Sequence, residues 1–349
     1  MRTESLVLLC RAGFEKECSA EIIERLATIG VAGYCRAGQG SGWVEVKSAA
    51  HWDPLVAFET LRLRDLVFTR DWFAGVPFRD LHPGDRLAPL LTMARAPGPF
   101  MQCWLQHVDT EDGRSVGRLG TRMRARVEGA LQEARLIRAD AGARLHILFL
   151  GGTDGFLGIS RADNGALWSM GVPRLRLPGA PSRSAAKLEE AFLWFLGERE
   201  ARELRAGMSA VDLGAAPGGW TWQLVRRGIR VKAIDRAALR ADLLESGLVE
   251  HLEADAFSYR PERQVDWMVC DVVDKPARVA DLVVRWFVND WCKRCIFNLK
   301  LPMKQRYREV STLLERILRR IAEQGGDVSC EARQLYHDRE EITVFLRRR

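Results

Sequence analysis

One stretch, residues 209–226, constrains the fold of this chain more than any other. It reads SAVDLGAAPGGW and continues with helical character to residue 226. A short apolar strand that enters a helix through small residues lets the backbone approach a ligand closely and points amide groups at it. Helix and strand patterns alternate from residue 182 onward, which is typical of a parallel α/β sheet. The stretch is therefore predicted to be the first strand and ligand loop of a Rossmann-like domain.

The glycine spacing of this loop argues against a dinucleotide. Gly214 is followed by Gly218 and Gly219, which does not match the GxGxxG pattern of nicotinamide enzymes, and Pro217 removes one amide donor. An amino-acid tail without phosphate fits better, so S-adenosylmethionine is the predicted cofactor and a dehydrogenase is disfavoured. The predicted cofactor loop comprises Gly214, Ala216, Pro217, Gly218, Gly219 and Trp220.

Two acidic residues follow the next two predicted strands. Asp235 ends a strand over residues 231–235, where an acid that binds ribose hydroxyls belongs in such folds. Asp255 follows a third short strand, in a position to accept from an adenine amino group. Either acid alone could be a helix cap. Together, at successive strand ends, they predict an adenosyl pocket.

Four further side chains predict a catalytic cluster at the same edge. The fourth strand ends at Asp271, and the fifth, residues 294–300, ends at Lys300. A closing hairpin with a turn over residues 337–340 brings Glu341 to these ends, since its last strand runs antiparallel. Lys187 lies on the helix that begins near Ser182, although alone it would be a surface lysine. Ser182 or Ser184 is expected to cap that helix.

The grouping fits methylation of a ribose hydroxyl. Such a hydroxyl is a poor nucleophile, so its attack on a sulfonium methyl group benefits from a positioned base. Lys300 is the predicted proton acceptor. A second ammonium, Lys187, and the sulfonium both favour neutral Lys300, whereas Asp271 and Glu341 orient the two lysines.

The upstream half predicts two α+β segments, residues 1–75 and 76–170, before an extended linker at 171–181 that contains three prolines. A strand is expected over residues 66–73. A helix over residues 115–135 carries Arg118, Arg122, Arg124 and Arg126. These arginines fit either an ordinary solvated face or an RNA-binding surface.

Composition limits the partners, metal sites and membrane contacts that are possible for this chain. The net charge of +7 favours a polyanionic partner. Eight cysteines do not form a disulfide framework, and the lone pair Cys292 and Cys295 lacks companion ligands, so no metal is predicted. No apolar run could span a bilayer or serve as a secretory signal, and the prediction is a cytoplasmic protein without membrane contact. The oligomeric state stays open.

These motifs resemble the RlmM family of 23S ribosomal RNA ribose 2′-O-methyltransferases. The resemblance rests on PSRSAAKLEEAF, VDLGAAPGGW, WMVCD, FNLKLPMKQRY and LYHDREEITVF in order, and on the opening CRAGFEKECSAEI. It implies a K-D-K-E tetrad at Lys187, Asp271, Lys300 and Glu341, with Glu340 as the alternative last member. It also implies cofactor contacts at Ser184, residues 216–219, Asp235, Asp255 and Asp271.

The resemblance further implies a ferredoxin-like domain over residues 1–75 and a THUMP-type RNA-binding domain over 76–170, ahead of the methyltransferase domain at 182–349. The implied target is one cytidine of the peptidyl-transferase region of 23S rRNA. Ala216 replaces a cysteine often found in the family's loop, which we expect to matter little because the backbone of the loop makes the contacts.

Rival functions fit the sequence less well. A methyltransferase acting on an exocyclic amine is expected to carry a (D/N)PP(Y/F) segment where this chain has DVVDKP, and Cys270 lies inside a strand rather than at a nucleophile position. A ribose methyltransferase for another RNA, and an RNA-binding or assembly factor that keeps the fold without catalysis, remain as alternatives.

Overall fold

The computed structural model describes residues 3–48 and 53–349. The chain divides between Val172 and Pro173 into two units, and this division lies inside the predicted linker, residues 171–181. In the described part of the chain, no helix combines the length and apolarity required to cross a bilayer.

The N-terminal unit is built on one seven-stranded sheet. Its strands follow the order β2-β3-β1-β4-β7-β6-β5, and every neighbouring pair is antiparallel except β5 and β6. The strands are β1 (Ser5–Cys10), β2 (Gly33–Arg36), β3 (Trp43–Ser48), β4 (Thr69–Phe78), β5 (Gln102–His107), β6 (Ala143–Phe149) and β7 (Gly155–Arg161). The helices are α1 (Glu15–Thr28), α2 (Val56–Thr60), α3 (Leu87–Arg95) and α4 (Glu111–Glu133).

β4 joins the two segments that the sequence predicted as separate domains. The strand was expected over residues 66–73. It begins three residues later and continues to Phe78, across the predicted boundary at 75/76. One edge of β4 pairs with β1 and the other with β7. The two predicted domains therefore share a single sheet.

The C-terminal unit confirms the predicted Rossmann-like α/β fold. Its strands follow the order β10-β9-β8-β11-β12-β14-β13. The strands are β8 (Ser209–Leu213), β9 (Arg230–Ile234), β10 (Val249–Leu252), β11 (Val265–Cys270), β12 (Cys292–Lys300), β13 (Val328–Arg333) and β14 (Glu341–Arg348). The helices are α5 (Ala185–Ala191), α6 (Glu200–Glu203), α7 (Gly219–Val225), α8 (Ala241–Leu244), α9 (Pro276–Val288) and α10 (Arg306–Ala322).

Strand direction places the functional edge of this sheet. The first five strands in the order are parallel, whereas β14 runs antiparallel to β12 and to β13, as predicted for a closing hairpin. The chain passes from β8 outward to β9 on one side and to β11 on the other. The carboxyl end of β8 is thus the topological switch point at which open α/β sheets bind ligands.

A buried aromatic cluster fixes the strands that carry the site. Trp267 of β11 stacks on Phe345 of β14, with ring centroids 5.9 Å apart, and both side chains are almost fully buried. The Trp267 indole N–H donates to the carbonyl of Glu203 at 2.9 Å, so its polar atom is partnered. Large buried aromatic rings of this kind stabilise the core and limit movement of the strands. The ends of β11 and β14 are thereby held in place.

Candidate active site

The glycine loop after β8 depends on backbone conformations that favour glycine. Gly214 has φ +76° and Gly218 has φ +109°. A Cβ added to Gly214 would lie 2.7 Å from Val272 Cγ2, and one added to Gly218 would lie 2.2 Å from Leu243 Cδ1. The sequence predicted that these glycines make room for a ligand. In the structure, protein side chains already fill that space, so the glycines are needed for the loop itself to fold.

Hydrogen bonds to neighbouring segments hold the loop in position. The Ala216 N–H donates to Asp235 Oδ2 at 2.9 Å. Trp220 is buried in the core, and its indole N–H donates to the Ser184 carbonyl at 3.0 Å. Trp220 therefore ties the loop to the start of α5, which is a different role from the predicted contact with a cofactor.

The predicted serine cap on α5 is wrong. Ser182 Oγ and Ser184 Oγ lie 2.7 Å apart and bond to each other, and Ser184 makes no capping hydrogen bond to α5. Both hydroxyls face Gly219, since a Cβ added there would meet Ser182 Oγ at 2.3 Å and Ser184 Oγ at 2.5 Å. Ser184 is thus adjacent to the glycine loop.

Three carboxylates follow three strands at this edge, as predicted. Asp235 follows β9, Asp255 lies beyond β10, and Asp271 follows β11. Asp235 Oδ1 accepts from the Ala237 N–H at 2.9 Å, and Asp255 Oδ1 accepts from the Phe257 N–H at 3.2 Å. Carboxylate oxygens have several acceptor positions each and can also accept from hydroxyl, amino and ammonium groups. These are the polar groups of S-adenosylmethionine, so the donor and acceptor chemistry fits that cofactor.

The four predicted catalytic side chains meet in one cluster. The Lys187 ammonium lies 3.4 Å from Asp271 Oδ2 and pairs with Glu341 Oε1. The Lys300 ammonium pairs with the other oxygen of the same carboxylate, Oε2. Glu341 thus bridges the two lysines, and Lys187 bridges the two acids.

Burial and charge set the protonation of the cluster. Burial acts to lower the pKa of Lys187, but the charges of Asp271 and Glu341 outweigh it and raise that pKa. Burial acts to raise the pKa of Glu341, and Lys187 and Lys300 together bring it below its ordinary value. The pKa of Asp271 is raised by burial, against the opposing effect of Lys187. Lys187 is consequently protonated and Glu341 is consequently ionised.

The neighbouring acid Glu340 lies outside the cluster. It pairs with Arg306 at 3.0 Å, and its side chain is 62% exposed, against 4% for Glu341. Glu341 occupies the position opposite Lys300 in the register of β12 and β14. Glu340 precedes the first residue of β14. The alternative last member of the tetrad is therefore excluded by position.

Sequence reasoning missed a second layer of polar residues behind the cluster. Asn298 Nδ2 donates to Asp271 Oδ1 at 2.8 Å. Asn298 Oδ1 in turn faces Thr343 Oγ1 at 2.8 Å, and Thr343 Oγ1 lies 3.0 Å from Asp338 Oδ2. Asp338 was predicted in a turn, and it is fully buried there. A signal was present in Asn298, an amide in the middle of an apolar strand.

The loop that carries Asp338 is fixed to α5 by one acid. Glu190 is almost fully buried and accepts from the backbone N–H groups of Tyr336 at 2.7 Å and His337 at 3.0 Å. The His337 ring Nδ1 also lies 2.6 Å from Glu190 Oε2. Glu190 therefore links the hairpin loop to the helix that presents Lys187.

The arginines predicted on the helix of the N-terminal unit lie on α4. Arg118, Arg122 and Arg126 repeat every four residues and share one face, which Arg114 extends, whereas Arg124 projects from another side. All are exposed. Among residues 3–48 and 53–349, Arg118, Arg122, Arg124 and Arg126 form no ion pair with a carboxylate. The face is thus free to meet an anion.

Metal-binding side chains do not cluster in the described ranges. Across residues 3–48 and 53–349, no three His, Cys, Asp or Glu side chains are arranged to hold a metal ion.

Two family models match the chain. The model described as the RlmM ferredoxin-like domain matches residues 3–73. The model described as an FtsJ-like methyltransferase matches residues 180–313, which includes the glycine loop, Asp271 and Lys300.

Three relatives are similar over nearly their whole length, and each is named ribosomal RNA large subunit methyltransferase M. The protein of Cellvibrio japonicus is 46% identical over 345 residues, covering 98% of this chain and 99% of its own. The Stutzerimonas stutzeri protein is 47% identical and covers 99% of both chains. The Methylococcus capsulatus protein is also 47% identical, over 98% of this chain and 97% of its own.

Proposed function

This chain belongs to the ribosomal RNA large subunit methyltransferase M family, and on that premise we propose that it methylates a ribose 2′-hydroxyl of 23S rRNA. As a member of this family it is an S-adenosylmethionine-dependent rRNA methyltransferase with an N-terminal ferredoxin-like domain and a C-terminal FtsJ-like domain. The ribose hydroxyl as the methylated group, and the roles of individual residues, are our proposal.

One observation carries the proposal: the two oxygens of Glu341 hold two lysines of unequal exposure. The side chain of Lys300 is 36% exposed, whereas that of Lys187 is 16% exposed. A sugar hydroxyl approaching the edge of the sheet therefore meets Lys300 first. Lys187 pairs with both Asp271 and Glu341, whereas the pair of Lys300 is with Glu341. We therefore assign the two lysines different roles.

Lys300 takes the proton of the ribose hydroxyl in the proposed reaction. A lysine that accepts this proton must be within hydrogen-bond reach of the hydroxyl and must be neutral before the transfer, which converts it to an ammonium group. The raised pKa of Lys187 keeps that residue charged, so it is a poor base and instead holds Asp271 and Glu341 in place. The bound S-adenosylmethionine would supply the electrophilic methyl group. Ser184, residues 216–219, Asp235, Asp255 and Asp271 are the side chains and backbone proposed to hold it.

The N-terminal unit is the proposed RNA-binding part. The face formed by Arg118, Arg122 and Arg126 offers three cations at a repeat of about 6 Å along α4. Cationic side chains on such a face bind phosphates and release counterions. Residues 76–170, which include α4, are the segment that we propose to be of THUMP type.

The proposed target is a single cytidine of the peptidyl-transferase region of 23S rRNA, by family resemblance. The test is mass-spectrometric mapping of ribose methylation in rRNA from cells that lack the protein, and from those cells after re-expression. We expect one 2′-O-methyl mark to disappear and to return with the wild-type chain, but not with Lys300→Ala. Loss of a mark in another RNA would show a different substrate. An unchanged set of marks, with a ribosome-assembly defect, would show a non-catalytic assembly factor.

Cofactor binding is tested separately by thermal unfolding. S-Adenosylhomocysteine at about 100 times its dissociation constant should stabilise the native state by about 2.7 kcal/mol, and NAD should not. Stabilisation by NAD alone would contradict the cofactor assignment.

A further inference from the structure

Behind the tetrad, hydrogen-bond contacts run in a row from Asp338 through Thr343 and Asn298 to Asp271. If Asp338 were ionised, this row would contain one hydrogen fewer than it has contacts. Asn298 donates its amide hydrogen to Asp271 at 2.8 Å, which leaves Asn298 Oδ1 as an acceptor facing Thr343. The Thr343 hydroxyl lies 2.8 Å from that oxygen and 3.0 Å from Asp338 Oδ2. A hydroxyl donates one hydrogen only. If Thr343 donates to Asn298, the contact with Asp338 needs a hydrogen from Asp338.

We propose that Asp338 is a protonated carboxyl group that donates to Thr343 and so positions Asp271 through Thr343 and Asn298. The proposal extends the methyltransferase function proposed above, in which Asp271 belongs to the tetrad. Asp338 then donates to Thr343, Thr343 to Asn298, and Asn298 to Asp271. We call this series of hydrogen bonds the relay. The proton on the buried Asp338 sets the direction in which hydrogens are donated. The last acceptor is Asp271, the carboxylate that pairs with Lys187.

The surroundings of Asp338 favour its neutral form. The side chain is fully buried, and within the described residues Oδ1 has no hydrogen-bond partner. In the described part of the chain, Oδ2 accepts the Leu335 N–H at 3.0 Å and otherwise contacts only Thr343. A buried carboxylate with a single backbone donor is costly, whereas a carboxylic acid is not. An acid hydroxyl can accept from Leu335 and donate to Thr343 at the same time.

The charged groups near Asp338 act in the same direction on balance. Burial first, then the negative charges of Glu341 on β14 and Glu190 on α5, raise the pKa of Asp338 well above its ordinary value, and the positive charge of Lys187 opposes them. Glu190 already has its own donors in the loop. The negative charge therefore resides on Glu190 and Glu341, and the proton on Asp338.

In the proposed relay, loss of the proton on Asp338 would change the orientation of groups at the site. If Asp338 lost its proton, Thr343 would turn its hydrogen toward the new charge. Asn298 Oδ1 would then face an oxygen without a hydrogen, and the amide would lose its fixed orientation toward Asp271. Misplacement of a catalytic group by about 1 Å can cost about 10²-fold in rate.

The direct test is carbon NMR of the full chain labelled with [13C]aspartate at the carboxyl position. The signal that is absent from Asp338→Asn should have the chemical shift of a protonated carboxyl at pH 7, and should move only at alkaline pH. A carboxylate shift at pH 7 would overturn the proposal. If Asp338→Asn does not fold, Asp338 is identified instead by the signal that Thr343→Val displaces and that is still present in Asp271→Asn.

A kinetic test separates positioning from a merely structural role. Thr343→Val keeps the shape of the side chain and removes the hydroxyl, so kcat should fall by about tenfold while KM for the RNA substrate stays within about twofold. Thr343→Ser retains the hydroxyl and should restore kcat to within about threefold. Equal kcat values for Thr343→Val and the wild-type chain would contradict the positioning role. The NMR result is independent of the RNA substrate, so the proposal and the proposed function fail separately.

Discussion

Lys300 and Glu341 are direct partners in the register of β12 and β14. Because β14 runs antiparallel to the strands beside it, its first residue lies next to the last residue of β12. Glu341 Oε2 pairs there with Lys300, while Oε1 reaches Lys187 from α5. One carboxylate therefore fixes the relative position of two ammonium groups that come from α5 and β12.

Replacing Lys300 by alanine should remove the proton acceptor. We expect kcat for methyl transfer to fall by at least about 10²-fold, since a positioned acid or base contributes about 10²–10⁴-fold. The dissociation constant for S-adenosylmethionine should change by less than about threefold, because the cofactor is held by the loop and the carboxylates. Single-turnover transfer of a labelled methyl group and calorimetric titration measure the two quantities.

Lys293→Ala is the matched control for that variant. Lys293 lies on the same strand at its opposite end, is about half exposed and pairs with Asp266 at 2.8 Å. Exposed pairs of this kind contribute less than about 1 kcal/mol. Its activity should equal that of the wild-type chain. Wild-type kcat in Lys300→Ala would exclude Lys300 as the base.

The adjacent acids Glu341 and Glu340 should respond very differently to loss of charge. Glu341→Gln leaves Lys187 and Lys300 facing each other without the carboxylate between them, so kcat should fall at least about tenfold. Glu340→Gln weakens a pair with Arg306 that lies outside the cluster and in which the Glu340 side chain is 62% exposed, so its kcat should stay within about twofold. Both are measured with the same RNA. A larger loss in Glu340→Gln would move the tetrad to that residue.

Residues at strand ends were predictable, because strand periodicity shows where a strand stops. Asp271 and Lys300 follow apolar runs, and the parallel arrangement brings such ends to one edge. The choice between Glu340 and Glu341 needed the register, since a shift of one residue turns a side chain to the other face. The link from Asp338 through Thr343 to Asn298 joins a turn to two strands. Such contacts depend on exact pairing, which the sequence pattern does not contain.

The N-terminal unit shows another limit of sequence patterns. Apolar periodicity identified β4 but did not show that both of its edges are paired. The strand was expected to end at Phe73, yet it continues to Phe78, and Pro77 pairs with Phe156 of β7 in register. Pairing partners far apart in sequence therefore decided the domain boundary, and local propensity did not.

Removal of the α4 arginines should weaken RNA binding in a salt-dependent way. For single-stranded RNA, every arginine–phosphate interaction that is removed reduces the slope of log K against log salt concentration by about 0.7. Arg118→Ala, Arg122→Ala and Arg126→Ala combined should therefore lower the slope by about 2. Filter binding at several salt concentrations measures it. Arg138→Ala is the control, because Arg138 is exposed but paired with Asp140. An unchanged slope in the triple variant would exclude α4 as the RNA-binding face.

Gly218→Ala should disrupt the cofactor loop through both backbone strain and collision with Leu243. Gly247 is the matched control, because it has φ +69° and nothing lies within 4 Å of an added Cβ. Gly247→Ala should cost about 1–2 kcal/mol of stability from the left-handed backbone alone, without changing cofactor affinity. Gly218→Ala should cost more and weaken S-adenosylhomocysteine binding by at least about tenfold. Equal effects of the two variants on affinity for S-adenosylhomocysteine would mean that the Leu243 side chain moves and relieves the collision.

Asp212 should make the stability of the C-terminal unit depend on pH near neutrality. The carboxyl is fully buried in β8. Oδ2 accepts from the Thr221 hydroxyl at 2.6 Å, and Oδ1 has no partner among the described residues. Burial raises the pKa of Asp212 from 3.8 to about 7, with smaller contributions from Asp271 and Asp235. The folded state thus keeps a proton that the unfolded state releases.

The sign of the effect follows from that raised pKa. The contribution of Asp212 to the free energy of unfolding is fully present below pH 3.8 and is lost as the pH rises through about 7. A pKa difference of about three, at about 1.4 kcal/mol for each pH unit, gives an effect on the order of 4 kcal/mol. Asp212→Asn is neutral throughout, so urea unfolding should show this variant gaining stability relative to the wild-type chain between pH 5 and pH 8. Asp266→Asn is the control, because the pKa of Asp266 is lowered by its partners and nothing at that residue titrates in this range. A constant difference between Asp212→Asn and the wild-type chain over these pH values would mean that Asp212 is already ionised at pH 5, and that Thr221 is a sufficient partner for a buried carboxylate.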